Sequence, residues 1–258
     1  MTTLTEALLA AGEAERAADV AGDIRRTWST NQHAIALQAT AWRIMGDPRY
    51  RRLYDYDALV GATMLDTPEG WPSLDAFIAD VAEALKTLHA FREHPFNQSL
   101  RHGSQAVDIL RRDHPALRAL PQALDGPIRS YLAKLGPGDD PVRARNREAY
   151  QFNGMWSVRL RPGGYHVDHV HPQGWLSSAC YVETVAPKGQ EGWIRFGQPG
   201  VKTSPALPAE YYVEPKPGML VLFPSYMWHG TVPFTGEQTR LTFAFDLVPG
   251  PIDLSGDD

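Results

Sequence analysis

From about residue 148 to residue 250 the chain breaks into short apolar or alternating runs separated by turn residues. The runs are Gly154 to Arg161, Tyr165 to His171, Trp175 to Val185, Gly192 to Phe196, Tyr211 to Val213, Met219 to Phe223, His229 to Pro233 and Thr239 to Val248. Runs of this length, bounded by Gly and Pro, read as β-strands. Eight of them within about 100 residues are the pattern of a double-sheet jelly roll, also called a double-stranded β-helix.

The first half has a different texture. Residues 1 to about 46 are alanine-rich, with Val20, Ile24 and Trp28, then Ile35, Ala39 and Trp42, at helical spacing. Gly12, Gly22 and Ser29-Thr30-Asn31 break this stretch into short packed helices, and Gly46-Asp47-Pro48 ends it, because Pro has no amide to donate. A clear helix follows Pro72-Ser73, with Leu74, Phe77, Ile78, Val81, Leu85 and Leu88 on one buried face behind a serine cap. Another runs from Pro115 to Leu135 and stops at Gly136-Pro137-Gly138. The polar stretch 94–105 between them is expected to be a substrate-side flap. The fold class is therefore α+β, with N-terminal helices followed by a jelly roll. The expected division is a helical segment at 1–48, either a tetratricopeptide-like end or a helical cap, and a domain at 49–258 in which helices 73–135 support the jelly roll 148–250.

Charge and composition exclude several functions. The 258 residues carry a formal net charge of −5, and the basic residues are scattered, so nucleic acid is not an expected partner. Cys180 is the only cysteine, which rules out an internal disulfide and a cysteine-based zinc cluster. No stretch approaches the roughly 18 apolar residues of a membrane span, and Met1 to Glu6 lacks the basic and apolar regions of a secretion signal. A cytoplasmic protein is the expectation.

Chemistry concentrates in Gly163-Gly164-Tyr165-His166-Val167-Asp168-His169-Val170-His171-Pro172, with three histidines and a carboxylate in six residues. Imidazoles suit iron, zinc, copper or nickel. In extended backbone, residues two apart share a face. His166 and Asp168 thus form one candidate pair and His169 and His171 another, and no regular strand sends all four to one ion. A further histidine, His229, ends the apolar run Met219 to Phe223 and its Pro224 break, 58 residues after His171. Arg240 follows 11 residues later and opens an alternating strand, with Arg240, Thr242 and Ala244 on one face and Leu241, Phe243 and Phe245 on the other. An arginine on a half-buried strand needs an anionic partner, since a desolvated unpaired charge costs several kcal/mol. A bound dicarboxylate would supply one.

At this point the sequence resembles the iron(II)- and 2-oxoglutarate-dependent oxygenases. The closer resemblance is to a bacterial subfamily of these enzymes in which the domain often follows tetratricopeptide helices. It is carried by Trp156-Ser157-Val158-Arg159-Leu160, His169-Val170-His171-Pro172, Gly174-Trp175-Leu176-Ser177-Ser178 and the stretch Phe223 to Phe234 with Trp228-His229-Gly230. The resemblance implies a jelly roll with a His-x-Asp/Glu pair on an early strand, a distal histidine on a late one, and an arginine some ten residues on that holds the far carboxylate of 2-oxoglutarate. Set against the prolyl-4-hydroxylase pattern, Gly163-Gly164 places His169 and His171 at the ligand positions, with His229 third. A histidine then stands where a carboxylate is expected, raising the charge of metal plus ligands from +1 to +2. The His166 and Asp168 pair would restore the usual chemistry.

For the co-substrate, the resemblance implies Arg240, with Tyr181 near the same carboxylate and Thr242 beside it. Arg159 and Arg161 are the alternative clamps, and Trp175 and Trp228 flank the site. The implied activity is oxidative decarboxylation of 2-oxoglutarate coupled to hydroxylation of a small-molecule or peptide substrate, with iron(II) as the metal. The N-terminal helices would offer a surface to a protein partner. The rivals are a three-histidine cupin-type dioxygenase that does not use 2-oxoglutarate, and a non-catalytic metal-binding jelly roll acting as an interaction module.

Overall fold

The computed structural model describes residues 1–89, 99–186 and 188–250. It opens with α1 (Thr2–Ala11), α2 (Ala14–Thr27) and α3 (Gln32–Met45). Gly12 and Gly46 end α1 and α3 with φ of 80° and 68°, a left-handed conformation that costs glycine nothing. The Asn31 side chain caps α3, accepting the Ala34 N–H at 3.0 Å. Gly22, expected as a break, lies inside α2 instead. A Cβ there would come within 2.9 Å of Gln38 Nε2, so the glycine lets α3 approach closely enough for Gln38 to donate to the Ala18 carbonyl at 3.0 Å.

Two short helices, α4 (Arg49–Leu53) and α5 (Tyr56–Leu59), lead into strand β1 (Gly61–Met64) and helix α6 (Leu74–Leu88). The Ser73 hydroxyl caps α6, accepting from Ala76 N at 3.2 Å. After β2 (Leu100–Val107), the helix expected over 115–135 is divided into α7 (Pro115–Arg118) and α8 (Leu120–Leu135). Pro121 can neither donate to nor pack against the carbonyl four residues back, which separates them. Pro127 sits inside α8 and leaves the Ala123 carbonyl unbonded within the helix; the Asp66 N–H takes it at 3.0 Å. Neighbouring Gly126 leaves room for the Asp66 side chain.

The remaining strands are β3 (Tyr150–His166), β4 (Leu176–Glu183), β5 (Ile194–Phe196), β6 (Tyr211–Val213), β7 (Met219–Pro224), β8 (His229–Thr231) and β9 (Arg240–Pro249). They form two antiparallel sheets, one of six strands in the order β1-β7-β4-β9-β3-β2 and one of three in the order β6-β5-β8. This is the jelly roll of an α+β fold. Strand β9 shows how it is built. Leu241, Phe243, Phe245 and Leu247 are fully buried in the core cluster that also holds α6 and α8 residues, while Arg240, Thr242, Ala244 and Asp246 line a cavity between the sheets.

Two expectations about strands need correction, and one strand was not expected at all. The run Tyr165 to His171 is not a strand of its own: β3 continues to His166, and the backbone beyond it changes partner at every second amide. Val167 donates to Ser99 (3.0 Å), His169 to His229 (2.9 Å) and His171 to Ser225 (3.0 Å), and only the single bridge between His169 and His229 is regular. The unexpected strand is β1, an edge strand with mostly exposed side chains, so it shows no hydrophobic pattern. Second, the flap expected over 94–105 is in its described part the opposite edge strand β2; its residues 94–98 lie outside the described residues. Polar residues suit a strand at an edge, and Gly103 is required there because a Cβ would lie 2.6 Å from the Arg159 carbonyl.

The N-terminal helices pack beside the turn before β8. Trp228 Nε1 donates to Thr40 Oγ1 of α3 at 3.0 Å, and its backbone N–H donates to the Tyr54 hydroxyl at 3.1 Å. Arg43 donates to the carbonyls of Gly197 and Pro208, both at 2.8 Å. Glu210 accepts from Tyr56 at 2.9 Å and from Tyr50, and pairs with Arg51 at 3.0 Å. Among the described residues no helix is long and apolar enough to cross a membrane.

Candidate metal and co-substrate site

His229 is the first residue of β8, and the bridge to His169 brings the segment after β3 against it. Extended backbone then puts His171 on the same side as His169. The three rings lie with centroids 4.3 Å (His169–His229) and 5.1 Å (both other pairs) apart, and one nitrogen from each falls within 4.8 Å of the others. The group is able to hold a metal ion. Phe223 packs on the His229 ring at 4.5 Å, which fixes it from behind.

Each ring is also oriented through its other nitrogen. His169 Nδ1 meets the Val167 carbonyl at 2.8 Å, His229 Nδ1 the Met227 carbonyl at 2.9 Å, and His171 Nδ1 the Asp246 carboxylate at 2.6 Å. These oxygens only accept, so Nδ1 carries the proton in all three rings and Nε2 presents a lone pair. The Nε2 atoms of His169 and His171 lie 3.1 Å apart. Burial holds His169 far below its ordinary range, at about 3, with His171 adding to the effect, and pushes His229 well down too. The Nε2 atoms of His169 and His171 thus face each other, an arrangement that a shared cation would relieve.

The rival pair separates. His166 lines the cavity, its Nδ1 hydrogen-bonded to the Ser99 hydroxyl at 2.9 Å. Asp168 points away from the three rings, into a two-pronged pair with Arg195 Nε (2.9 Å) and Nη2 (2.6 Å). Gly230 makes room for it, since a Cβ there would meet Asp168 Oδ1 at 2.6 Å.

The cavity has a volume of about 710 Å³ and is lined by His166 and the three histidines together with Arg240 and Thr242. Arg240 is 3% exposed, and its guanidinium lies 5.0 Å over the Tyr181 ring. Its Nε and the Tyr181 hydroxyl are both buried without a hydrogen-bond partner. Burial lowers the Arg240 pKa and raises that of Tyr181. The Thr242 hydroxyl faces the Val158 carbonyl at 3.4 Å. Arg159 does not line the cavity, nor does Arg161. Trp175 and Trp228 are packing residues, 1% and 4% exposed.

Sequence reasoning missed Asp246, Ser177 and Arg195. Asp246 was within reach of it: the alternation that puts Arg240, Thr242 and Ala244 on one face extends to position 246. Arg195 alternates between the buried Ile194 and Phe196, but nothing local names Asp168 as its partner.

Several solved structures are similar at low identity. A prolyl-4-hydroxylase from Pseudomonas putida aligns with 17% identity over 75% of this chain and 96% of its own, with a TM-score of 0.48. HygX from Streptomyces hygroscopicus, with nickel and 2-oxoglutarate bound, aligns with 12% identity over 77% and 86%, at 0.49. A Trichoplax adhaerens prolyl hydroxylase in complex with a hypoxia inducible factor peptide aligns with 13% identity over 81% and 93%, also at 0.49. No curated protein matches the sequence. Residues 154–246, which hold His169, His171, Tyr181, His229, Arg240 and Thr242, match the model of the family described as "Putative 2OG-Fe(II) oxygenase".

Proposed function

We propose that His169, His171 and His229 hold iron(II), that Arg240, Tyr181 and Thr242 bind the far carboxylate of 2-oxoglutarate, and that the product is a hydroxylated small molecule or peptide. When bound, iron(II) and 2-oxoglutarate supply the coupling of oxidative decarboxylation, which yields succinate and carbon dioxide, to hydroxylation of a C–H bond by dioxygen.

The observation that carries this reading is the orphaned pair of buried polar atoms, Arg240 Nε and Tyr181 Oη, beside the cavity that the three histidines line. A buried cation without an anion is expensive, and a bidentate carboxylate is the ligand its planar fork fits. Tyr181 offers one more donor. The histidines contribute three donors held in one tautomer, and Val158, Val170 and Ile194 give part of the cavity an apolar wall. Neither a three-histidine dioxygenase without 2-oxoglutarate nor a structural metal module accounts for Arg240.

The test is a thermal-shift series on metal-free protein with Mn(II), with 2-oxoglutarate, and with both. Mn(II) alone should raise the melting temperature. 2-Oxoglutarate should raise it further only when metal is present, by the equivalent of about 2.7 kcal/mol at a hundred times its dissociation constant. A metal shift with no added effect of millimolar 2-oxoglutarate would remove the co-substrate from the reading.

A further inference from the structure

The three histidines are not equivalent. His169 and His229 rest their Nδ1–H groups on backbone carbonyls, whereas His171 rests its own on a carboxylate, Asp246 Oδ1, at 2.6 Å. That oxygen also accepts from the Ser177 hydroxyl at 2.7 Å, and Ser177 in turn shares a hydrogen bond with Ser225 at 2.8 Å. The group is enclosed: Asp246 is 8% exposed, Ser177 and Ser225 not at all. Gly174 packs over it, where a Cβ would collide with Ser225 Oγ and stand 3.3 Å from Asp246 Cγ.

We propose that Asp246 is the charged positioning residue of the metal centre, supplying through His171 the negative charge that three neutral imidazoles lack. This rests on the ligand set proposed above. A carboxylate that accepts the Nδ1–H of a ligating imidazole fixes its tautomer and pulls electron density toward Nε2, making it a stronger donor. Counted with Asp246, metal and protein carry +1, the charge of a two-histidine, one-carboxylate site; without it they carry +2. The carboxylate stands one imidazole behind the metal rather than on it. Asp246 acts through its hydrogen bond to His171.

Two variants with opposite expected signs test the idea. Asp246→Asn keeps the shape and an acceptor oxygen but removes the charge. Its Mn(II) affinity, by titration, should fall about 10- to 100-fold, the usual effect of losing such a partner, and the Fe(III)/Fe(II) potential should rise. Ser177→Ala removes a donor that competes for the same oxygen while leaving the charge. Its Mn(II) affinity should stay within about threefold of wild type, and its potential should fall as His171 receives more of the carboxylate. Wild-type affinity and potential in Asp246→Asn would overturn the proposal while leaving the three-histidine site intact. So would an equal loss of affinity in both variants, which would assign the effect to hydrogen-bond geometry. Should Asp246→Asn not fold, an unchanged or raised potential in Ser177→Ala is sufficient to overturn it. Wild-type protein that binds no metal would instead remove the ligand set on which the proposal rests.

Discussion

Trp228→Ala should destabilise the fold by about 3–5 kcal/mol, the range for truncating a buried tryptophan. The side chain is 4% exposed and donates through Nε1 to Thr40 of α3, while the backbone N–H of the same residue donates to the Tyr54 hydroxyl. The truncation would leave a cavity between the N-terminal helices and the strand that begins at His229. Denaturant unfolding should show a lower midpoint at unchanged slope. A loss under about 1 kcal/mol would mean that the helices and the jelly roll are not energetically joined at this turn.

Arg240→Lys should weaken 2-oxoglutarate binding by about 1.5–3 kcal/mol, the range for hydrogen bonds to charged groups. Lysine keeps the positive charge but loses the parallel donors that match a carboxylate. It also gives up the stacking on Tyr181, where the guanidinium lies 5.0 Å from the ring centroid. Arg240 is not one of the three histidine donors, so metal affinity should stay near wild type. A calorimetric titration of Mn(II)-loaded protein with 2-oxoglutarate reads the difference directly, and equal affinity in the two proteins would sink the clamp.

Features set by neighbours in sequence were legible without the structure. The Ser73 cap, the Gly46 stop, the alternation of β9 and the shared face of His169 and His171 follow from local periodicity and backbone chemistry. What escaped depends on partners far along the chain. Edge strands β1 and β2 have one mostly exposed or polar face, so neither carries the apolar pattern of a central strand. Gly22 looks like a helix break until Gln38 is seen against it. Parity narrowed the histidines to two pairs but could not choose between them. The ion pair of Asp168 with Arg195 and the hydrogen bond of His171 to Asp246 join residues 27 and 75 positions apart, and no local rule predicts either.

The ligand set is tested most directly by metal stoichiometry in wild type, His171→Ala and Asp168→Ala. Asp168 is committed to Arg195, with both carboxylate oxygens bonded, while His171 places Nε2 3.1 Å from that of His169. The prediction is one tightly bound Fe(II) or Mn(II) per chain in wild type and in Asp168→Ala, and none in His171→Ala. Metal retained by His171→Ala and lost from Asp168→Ala would contradict the three-histidine site and assign the metal to His166 and Asp168 instead.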